Sequence, residues 1–435
     1  LDNRPVVPMD QRDPYPVPEI LRTKLDRTML RLSASGFDME GMDFFHQPDP
    51  EDIKMSRLRL QTLGALDLLG KITDIGREMN RLPLETHLAR MMVKKYPKSV
   101  QNALVECIAI RQSGGIVKNG KYNTGWQKLT NEKESDYLAQ REVLFALDNI
   151  PKSSWGEYDI LTKNVFATRQ NMHSIRNALR LGKQEGNRVL SQEEREQLMK
   201  SIASGLIDQV WFNRHGKYVS ALDMTSRELS SSSVCRDSII VAEPFDLHLQ
   251  GNRGEFVLNL LQSASKVDPK WLIEIAPQLI RLSDTGRRQF NPNTGEPIEF
   301  GELKFGNLTV GEQEIAPDIE AVQRRIVDIL LQTHHKRTRQ YSHWLQQLTE
   351  LSRWVTVFDT KLADNISGRL REVLTSKLEE NNICNLHTAL ANAPSIGADD
   401  LLSEEEYQAI MDIAEGNPDE ITVGDSVLAV DYSRG

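Results

Sequence analysis

The 435-residue sequence contains no run of 18 or more apolar residues, so no segment is long enough to cross a bilayer as a helix. Its start, Leu1-Asp2-Asn3-Arg4, has no apolar h-region, so no secretory signal is read there. With no Met at position 1, the chain is expected to be a cropped piece of a longer one. Cysteine is scarce: Cys107, Cys235 and Cys384 lie far apart with no CxxC. That spacing excludes a disulfide framework and a Cys-based zinc site, and a reducing, cytoplasmic setting is expected. Aromatics are only 6% of the chain. No GxSxG elbow, HExxH pair or DxDxDG loop occurs, so no catalytic constellation can be assembled and no metal site is expected.

The charge is what is present, and it is unevenly placed. The net charge of -9 speaks against a nucleic-acid partner at first sight, because phosphates call for Lys and Arg. Residues 399–435, however, hold eleven acids and one base. The other 398 residues are within one charge of neutrality. The deficit therefore describes a C-terminal patch. That patch is expected to fold back on a basic face and compete with any nucleic acid, or to bind another subunit.

Along the chain, Pro5, Pro8, Pro14, Pro16 and Pro18 mark residues 1–17 as an extended linker. A helix is expected from Pro18-Glu19 to about Leu32. Residues 49–92 read helix–turn–wing–helix, the order of a winged-helix unit. Met55, Leu58, Thr62, Leu63 and Leu66 are its expected buried stripe, with Lys54, Arg57 and Gln61 facing outward. Residues 93–205 are helical. Val100, Ala103, Leu104, Cys107 and Ile108 share one apolar face, which makes Cys107 a buried hydrophobe and not a nucleophile. Helices are expected over about 134–147, 155–181 and 191–205. From 206 to 315 short β-like runs, such as Val210–Phe212 and Ser238–Val241, alternate with Gly and Asn and predict a small barrel of the OB kind. From 316 a helical pattern runs to Phe358, and residues 420–430 read as a hairpin. Trp155, Trp211, Trp271 and Trp344 are read as core aromatics, and His334, His335 and His343 as solvated histidines.

Two stretches imitate phosphate or RNA sites. Gly64–Gly70-Lys71-Ile72 has five residues between its glycines where a P-loop has four, and Ile72 stands where the magnesium-binding hydroxyl would be. Gly251-Asn252-Arg253-Gly254 matches a GXXG clamp, but strand-like runs flank it, so it is read as a hairpin turn.

In order along the chain, further blocks carry a family resemblance. They are Pro18-Glu19-Ile20-Leu21-Arg22-Thr23, Leu63-Gly64-Ala65-Leu66-Asp67, Ile72-Thr73-Asp74-Ile75-Gly76-Arg77-Glu78-Met79 and Leu82-Pro83-Leu84. Ser135-Asp136-Tyr137-Leu138, Trp155 with Lys163-Asn164, and Val267-Asp268-Pro269-Lys270-Trp271-Leu272 follow. Together they resemble the region C-terminal to the motor in DEAH-box ATP-dependent RNA helicases, from Pro18 to about Ser283. The tail from Asn417 to Tyr432 is similar to the extension of bacterial HrpA/HrpB-like members. Tyr137 stands where that family has His, which puts the local hydrogen bonding in question.

The resemblance implies a mixed α and β multidomain chain, mostly α. Its expected parts are a linker (1–17), a winged helix (18–92), a helical ratchet domain (93–205), an OB-like barrel (206–315) and a helical C-terminal extension with acidic tail and terminal hairpin (316–435). GxGKT, DEAH and QRxGRAGR are absent, so ATP and magnesium belong to the parent helicase and this chain is expected to be inactive alone. Implied partners are single-stranded RNA and the RecA-like motor domains, with no membrane. Arg141, Arg176, Arg180, Arg253 and Lys304 are the expected RNA-channel cations, from their places on ratchet helices and barrel turns. The rival reading is a protein-interaction scaffold that binds no nucleic acid.

Overall fold

The computed structural model describes residues 18–120, 122–182, 189–251, 254–283, 287–332, 360–392, 394, 396–416, 420–423 and 426–429. The expected linker 1–17, Arg253, residues 333–358 of the long helical pattern with Trp344 and its histidines, and the ends of the tail lie outside the described residues. The chain forms two compact units, Leu1–Leu282 with Leu303–Gly311, and Ser283–Glu302 with Glu312–Gly435. The expected winged helix and ratchet pieces and most of the barrel piece therefore share one unit.

In the first unit, α1 (Asp26–Ala34), α2 (Pro50–Thr62), α3 (Asp74–Asn80) and α4 (Thr86–Met92) make the N-terminal part. The helix expected from Pro18 is only a 3-10 turn at Glu19–Leu21, with α1 starting later. Asp49 caps α2 by accepting from Glu51 N, and Pro50 fits the first turn, where its missing N–H costs nothing. The buried side of α2 is Ile53, Ser56 and Leu60, continued by Leu63, whereas Met55 and Leu58 are exposed. The expected stripe thus holds at Thr62, Leu63 and Leu66, which are buried, and is rotated off Met55 and Leu58. This helix is apolar on two sides, and the small Ser56 with Asp26, which accepts two bonds from Arg59 at 2.8 Å, selects the other one. The P-loop look-alike is a helix end, a turn in which Asp67 accepts from Leu69 N and Lys71 N, and a single bridge Leu66↔Ile72 in place of a wing strand. Gly76 is required where α3 meets that turn: a Cβ there would lie 2.2 Å from Ala65 O.

Next come α5 (Lys98–Gln112), α6 (Asp136–Ala146), α7 (Thr162–Ala178) and α8 (Gln192–Gly205). The apolar face expected on α5 is fully buried, and Val105, Glu106, Ala109 and Ile110 are buried too, so α5 is the central rod of the bundle. Burial pushes the Cys107 thiol up to about 12, the behaviour of an inert core thiol. The helix expected over 155–181 is interrupted. A 3-10 stretch, Lys152–Tyr158, ends where Asp159 takes a left-handed conformation and accepts bonds from Asn123 Nδ2 and Gly125 N; α7 begins three residues later.

Strands β1 (Val210–Arg214), β2 (Lys217–Ser220), β3 (Ser226–Leu229), β4 (Ile239–Gly251) and β5 (Gly254–Lys266) close into a barrel in the order β1-β2-β3-β5-β4. Only β3 and β5 pair in parallel; the other pairs are antiparallel. The two glycines of the GXXG match, Gly251 and Gly254, are the last pair of the antiparallel strands β4 and β5. Trp211, Tyr218, Ile240, Leu261 and Ala264 fill the barrel, and the Trp211 indole N–H donates to Ala242 O at 3.0 Å. Trp155 and Trp211 are core residues, as read from sequence, while Trp271 on α9 (Pro269–Ile275) is half-buried.

β6 (Ile280–Ser283), β7 (Arg288–Phe290), β8 (Pro297–Phe305) and β9 (Leu308–Ile315) come next, and in the second unit β7 pairs with β8 in the register Arg288↔Glu299, Gln289↔Ile298 and Phe290↔Pro297. Glu299 is buried, bonded by Arg288 Nε at 2.8 Å and by Asp318 N at 2.9 Å ahead of α10 (Ile319–Gln332). Val322, Ile326 and Leu330 of α10 pack with Leu374 and Leu378 of α11 (Thr360–Glu380) and with Leu401 and Leu402. Helices α12 (Leu386–Ala391), α13 (Ala398–Leu401) and α14 (Glu404–Gly416) follow, then the expected tail hairpin, β10 (Glu420–Val423) with β11 (Ser426–Ala429).

Candidate nucleic-acid interface

The joint between bundle and barrel is built from the segment Glu132–Leu138. Ser135 caps α6 through Leu138 N, and its hydroxyl also meets Ser265 of β5 at 2.6 Å. Asp136 is fully buried and accepts from Val234 N and Ala264 N, both at 2.8 Å. Burial outweighs these bonds and raises its carboxyl to about 6. Tyr137 answers the question raised by the family's His: its hydroxyl donates to Glu243 Oε1 at 2.8 Å, and Arg111 of α5 binds the same carboxylate with two nitrogens. Burial works against charge on Glu243, yet Arg111 holds its carboxyl below the ordinary value. Arg195 of α8 grips Glu132 and Glu134, and Lys266 of β5 bonds Glu134 at 2.6 Å. Three elements are thereby locked to one loop by charge-assisted bonds.

A polar cleft opens beside this joint, lined in part by Gly114, Gly115, Trp126, Gln140, Ser230 and Ser232. Its volume is about 40 Å³. A polar lining with this much room suits ordered water, which needs two to four polar partners. The Trp126 indole N–H has no acceptor among the described residues, which fits such a water.

The surface of α7 has more room. Lys163, Phe166, Gln170, His173 and Asn177 recur at helical spacing, Arg180 follows just past the helix end, and all six are exposed. Lys152 Nζ lies 4.8 Å from the centre of the Phe166 ring. Asn164 Nδ2 donates to Gly115 O at 2.7 Å and Asn171 Nδ2 to Ser113 Oγ at 3.0 Å, so the other side of α7 is pinned to the α5 end. Cations at both ends with an aromatic ring between them are the parts that single-stranded nucleic acid needs.

The five expected cations divide. Arg141 is buried, bonded to Glu106 at 2.6 Å and lying over Phe145; it belongs to the bundle core and not to an exposed channel. Arg176 is half-buried and turned inward, donating to Asn102 Oδ1 at 2.9 Å and Gly182 O at 3.1 Å. Arg180 is exposed, at the left-handed end of α7. Lys304 is half-buried on β8, away from α7 in sequence. Arg253 lies outside the described residues. Lys163, Phe166 and His173 were missed by counting arginines; their shared spacing with Arg180 was the available signal.

Residues 56–84 match the model of the helicase associated domain (HA2), winged-helix. The pre-mRNA-splicing factor ATP-dependent RNA helicase prp22 of Schizosaccharomyces pombe is 25% identical over 296 residues, which are 63% of this chain and 24% of that protein. The crystal structure of the E. coli DExH-box NTPase HrpB aligns with 97% of this chain and 46% of that one, at 19% identity and a TM-score of 0.44. The chain thus spans about a quarter of the length of the curated relative it matches. The winged-helix match and the 296-residue alignment support a likeness of this chain to the C-terminal region of DEAH-box RNA helicases.

Proposed function

We propose that this region guides single-stranded RNA through a channel completed by RecA-like motor domains, with the exposed face of α7 as its wall. The observation that carries the reading is the row Lys163, Phe166, Gln170, His173 and Asn177 on one exposed face of α7, with exposed Arg180 just past its end. Its chemistry is backbone tracking by cations with base stacking on Phe166, and no reading of base edges. The bundle serves as the ratchet domain, and the barrel, whose order and single parallel pair suit an OB fold, as its neighbour. ATP and magnesium are held by the motor, and hydrolysis is the parent protein's activity. Motor domains would also cover the apolar side chains left in solvent on the N-terminal part, Phe45, Met55, Leu58, Leu68 and Leu69.

Filter binding of oligo-uridylate RNA at two salt concentrations tests this. Lys163→Glu with Arg180→Glu should weaken binding at least tenfold and flatten the salt dependence by more than one unit of log–log slope, about 0.7 per lost phosphate contact. Unchanged affinity and slope would remove α7 from the interface. The same exposed apolar set favours a second reading, a protein-interaction scaffold without nucleic acid; absence of RNA binding by the unaltered chain at low salt would favour it.

A further inference from the structure

The cleft beside the bundle–barrel joint is shaped by departures from regular structure on both of its sides. On the bundle side, α5 is followed by Gly114 and Gly115, both at positive φ. A Cβ on Gly115 would lie 3.1 Å from Gln140 Oε1, so glycine keeps that amide clear. On the barrel side, Val241 pairs with Ser265 but Glu243 pairs with Gln262, so β5 carries one residue more than β4 between those pairs. Ser263 in this bulge holds φ at 54°, a left-handed conformation that costs a non-glycine residue and re-aims its neighbours. Trp126, which also lines the cleft, is buried, and its indole N–H has no acceptor among the described residues.

What the lining offers a ligand is uncharged. Its acid and its base are already engaged, Asp136 by Val234 N and Ala264 N, and Arg111 by Glu243. A phosphate or a cation therefore finds no free counter-charge in the cleft. The side chains of Gln262 and Ser263 make no hydrogen bond among the described residues. Gln140 accepts from Ile116 N at 2.8 Å and Asn119 accepts from Ser232 at 3.5 Å, and both keep their amide hydrogens for a ligand. Side-chain amides beside the apolar Ile110, Val117 and Trp126 are the groups that hold a nucleobase by its edge. The room of about 40 Å³ compares with the roughly 10–15 Å³ that one water requires. About three waters fit, together about 90 Å³ of liquid, the bulk of a one-ring base and less than a two-ring base needs. We infer that the cleft is a pocket for one pyrimidine base of a bound single strand, which displaces the ordered water and is read by Gln262, Gln140 and Asn119. The pocket adjoins the start of α7, where Asn164 Nδ2 donates to Gly115 O at 2.7 Å and Lys163 before it is exposed. It rests on the RNA reading of α7 and adds to it: the helix face tracks the backbone, and the pocket reads one base edge.

The test is fluorescence anisotropy of labelled oligo-uridylate and oligo-adenylate decamers with the full chain, Trp126→Phe and Gln262→Leu. Trp126→Phe removes the N–H and keeps a ring, and Gln262→Leu carries the test if circular dichroism melting shows the first variant unfolded. The unaltered chain should bind oligo-uridylate at least fivefold more tightly than oligo-adenylate. Each variant should lose at least threefold for oligo-uridylate and stay within twofold for oligo-adenylate. The salt slope should not change, because no phosphate contact is removed. Equal binding of the two RNAs by the unaltered chain overturns the pocket. So does a preference that survives both variants, which then belongs to the RNA, or a parallel loss for both RNAs, which is a structural effect. In each of those cases a loss of binding in Lys163→Glu with Arg180→Glu leaves the α7 reading standing. No binding of either RNA by the unaltered chain at low salt overturns both.

Discussion

At Arg180 the backbone holds φ at 53°, a left-handed conformation that suits Gly and costs another residue about 1 kcal/mol. A helix end that keeps Arg there forgoes the easier residue. Arg180→Gly should therefore leave thermal stability equal or higher while weakening RNA binding; a melting scan beside a binding curve checks both halves. A drop in stability with unchanged binding would mean that the side chain acts only within the fold. Asp136 allows a second prediction. Its folded carboxyl is raised above its ordinary 3.8, to about 6. In that window the folded state binds more protons than the unfolded one, so this contribution is complete below about pH 4 and is lost as pH rises through about 6. Relative to Asp136→Asn, the unaltered protein should lose stability, on the order of 2 kcal/mol, between those values. Parallel curves from urea titrations across that range would refute it. Arg141 shows why counting cations in a sequence misleads. Its place on α6 was visible, but its burial against Glu106 depends on α5 crossing behind it.

At the scale of elements, the bundle and barrel are held by ion pairs of α5 with β4, and of α8 and β5 with the segment ahead of α6. Glu243→Gln would leave Arg111 short of its partner in a largely buried place, at a cost of about 2 kcal/mol, less than the 3–5 of a fully buried pair because Arg111 keeps some contact with water. Because Glu243 is depressed, its contribution is present above its ordinary value of about 4.5 and is lost as pH falls below it. The variant should accordingly show a shallower acid limb in a stability–pH curve. Much of this scale was legible. The α5 stripe, the strand runs at 210, 217 and 239, the α9 block and the tail hairpin all follow from period and punctuation. The missed features share a cause: each depends on a partner distant in sequence. The rotated face of α2 is chosen by Asp26, and the break before α7 by Asn123 and Gly125. The family blocks proved informative for the same reason. Ser135–Leu138 is the bundle–barrel joint, and residues near Trp271 brace the N-terminal part, where Arg90 binds Leu63 O at 2.9 Å and Ile275 O at 3.4 Å.

For the whole molecule, the charge of -9 splits between the two units. The acidic segment from 399 lies in the second unit, where two of its acids turn back onto α11: Asp400 to Lys377 at 2.7 Å, and Glu406 to Arg369 at 2.8 and 3.0 Å. Arg369 holds the Glu406 carboxyl down to about 2. Leu401 and Leu402 of the same segment are core residues, so deleting 399–435 would damage the unit as well as remove charge. Neutralising exposed Glu404 and Glu405 to Gln is the cleaner variant. If the acids compete with RNA, it should raise affinity at low salt by about twofold or more, an effect that vanishes at high salt as screening shortens. Equal affinity at low salt would leave the acids to a protein partner. The central claim, that α7 is the RNA-facing wall of a helicase accessory region, is tested most directly by photocrosslinking 4-thiouridine RNA to the full chain and mapping adducts by mass spectrometry. The account predicts adducts between Lys163 and Arg180, suppressed by high salt; adducts confined to other segments, or none at low salt, would contradict it.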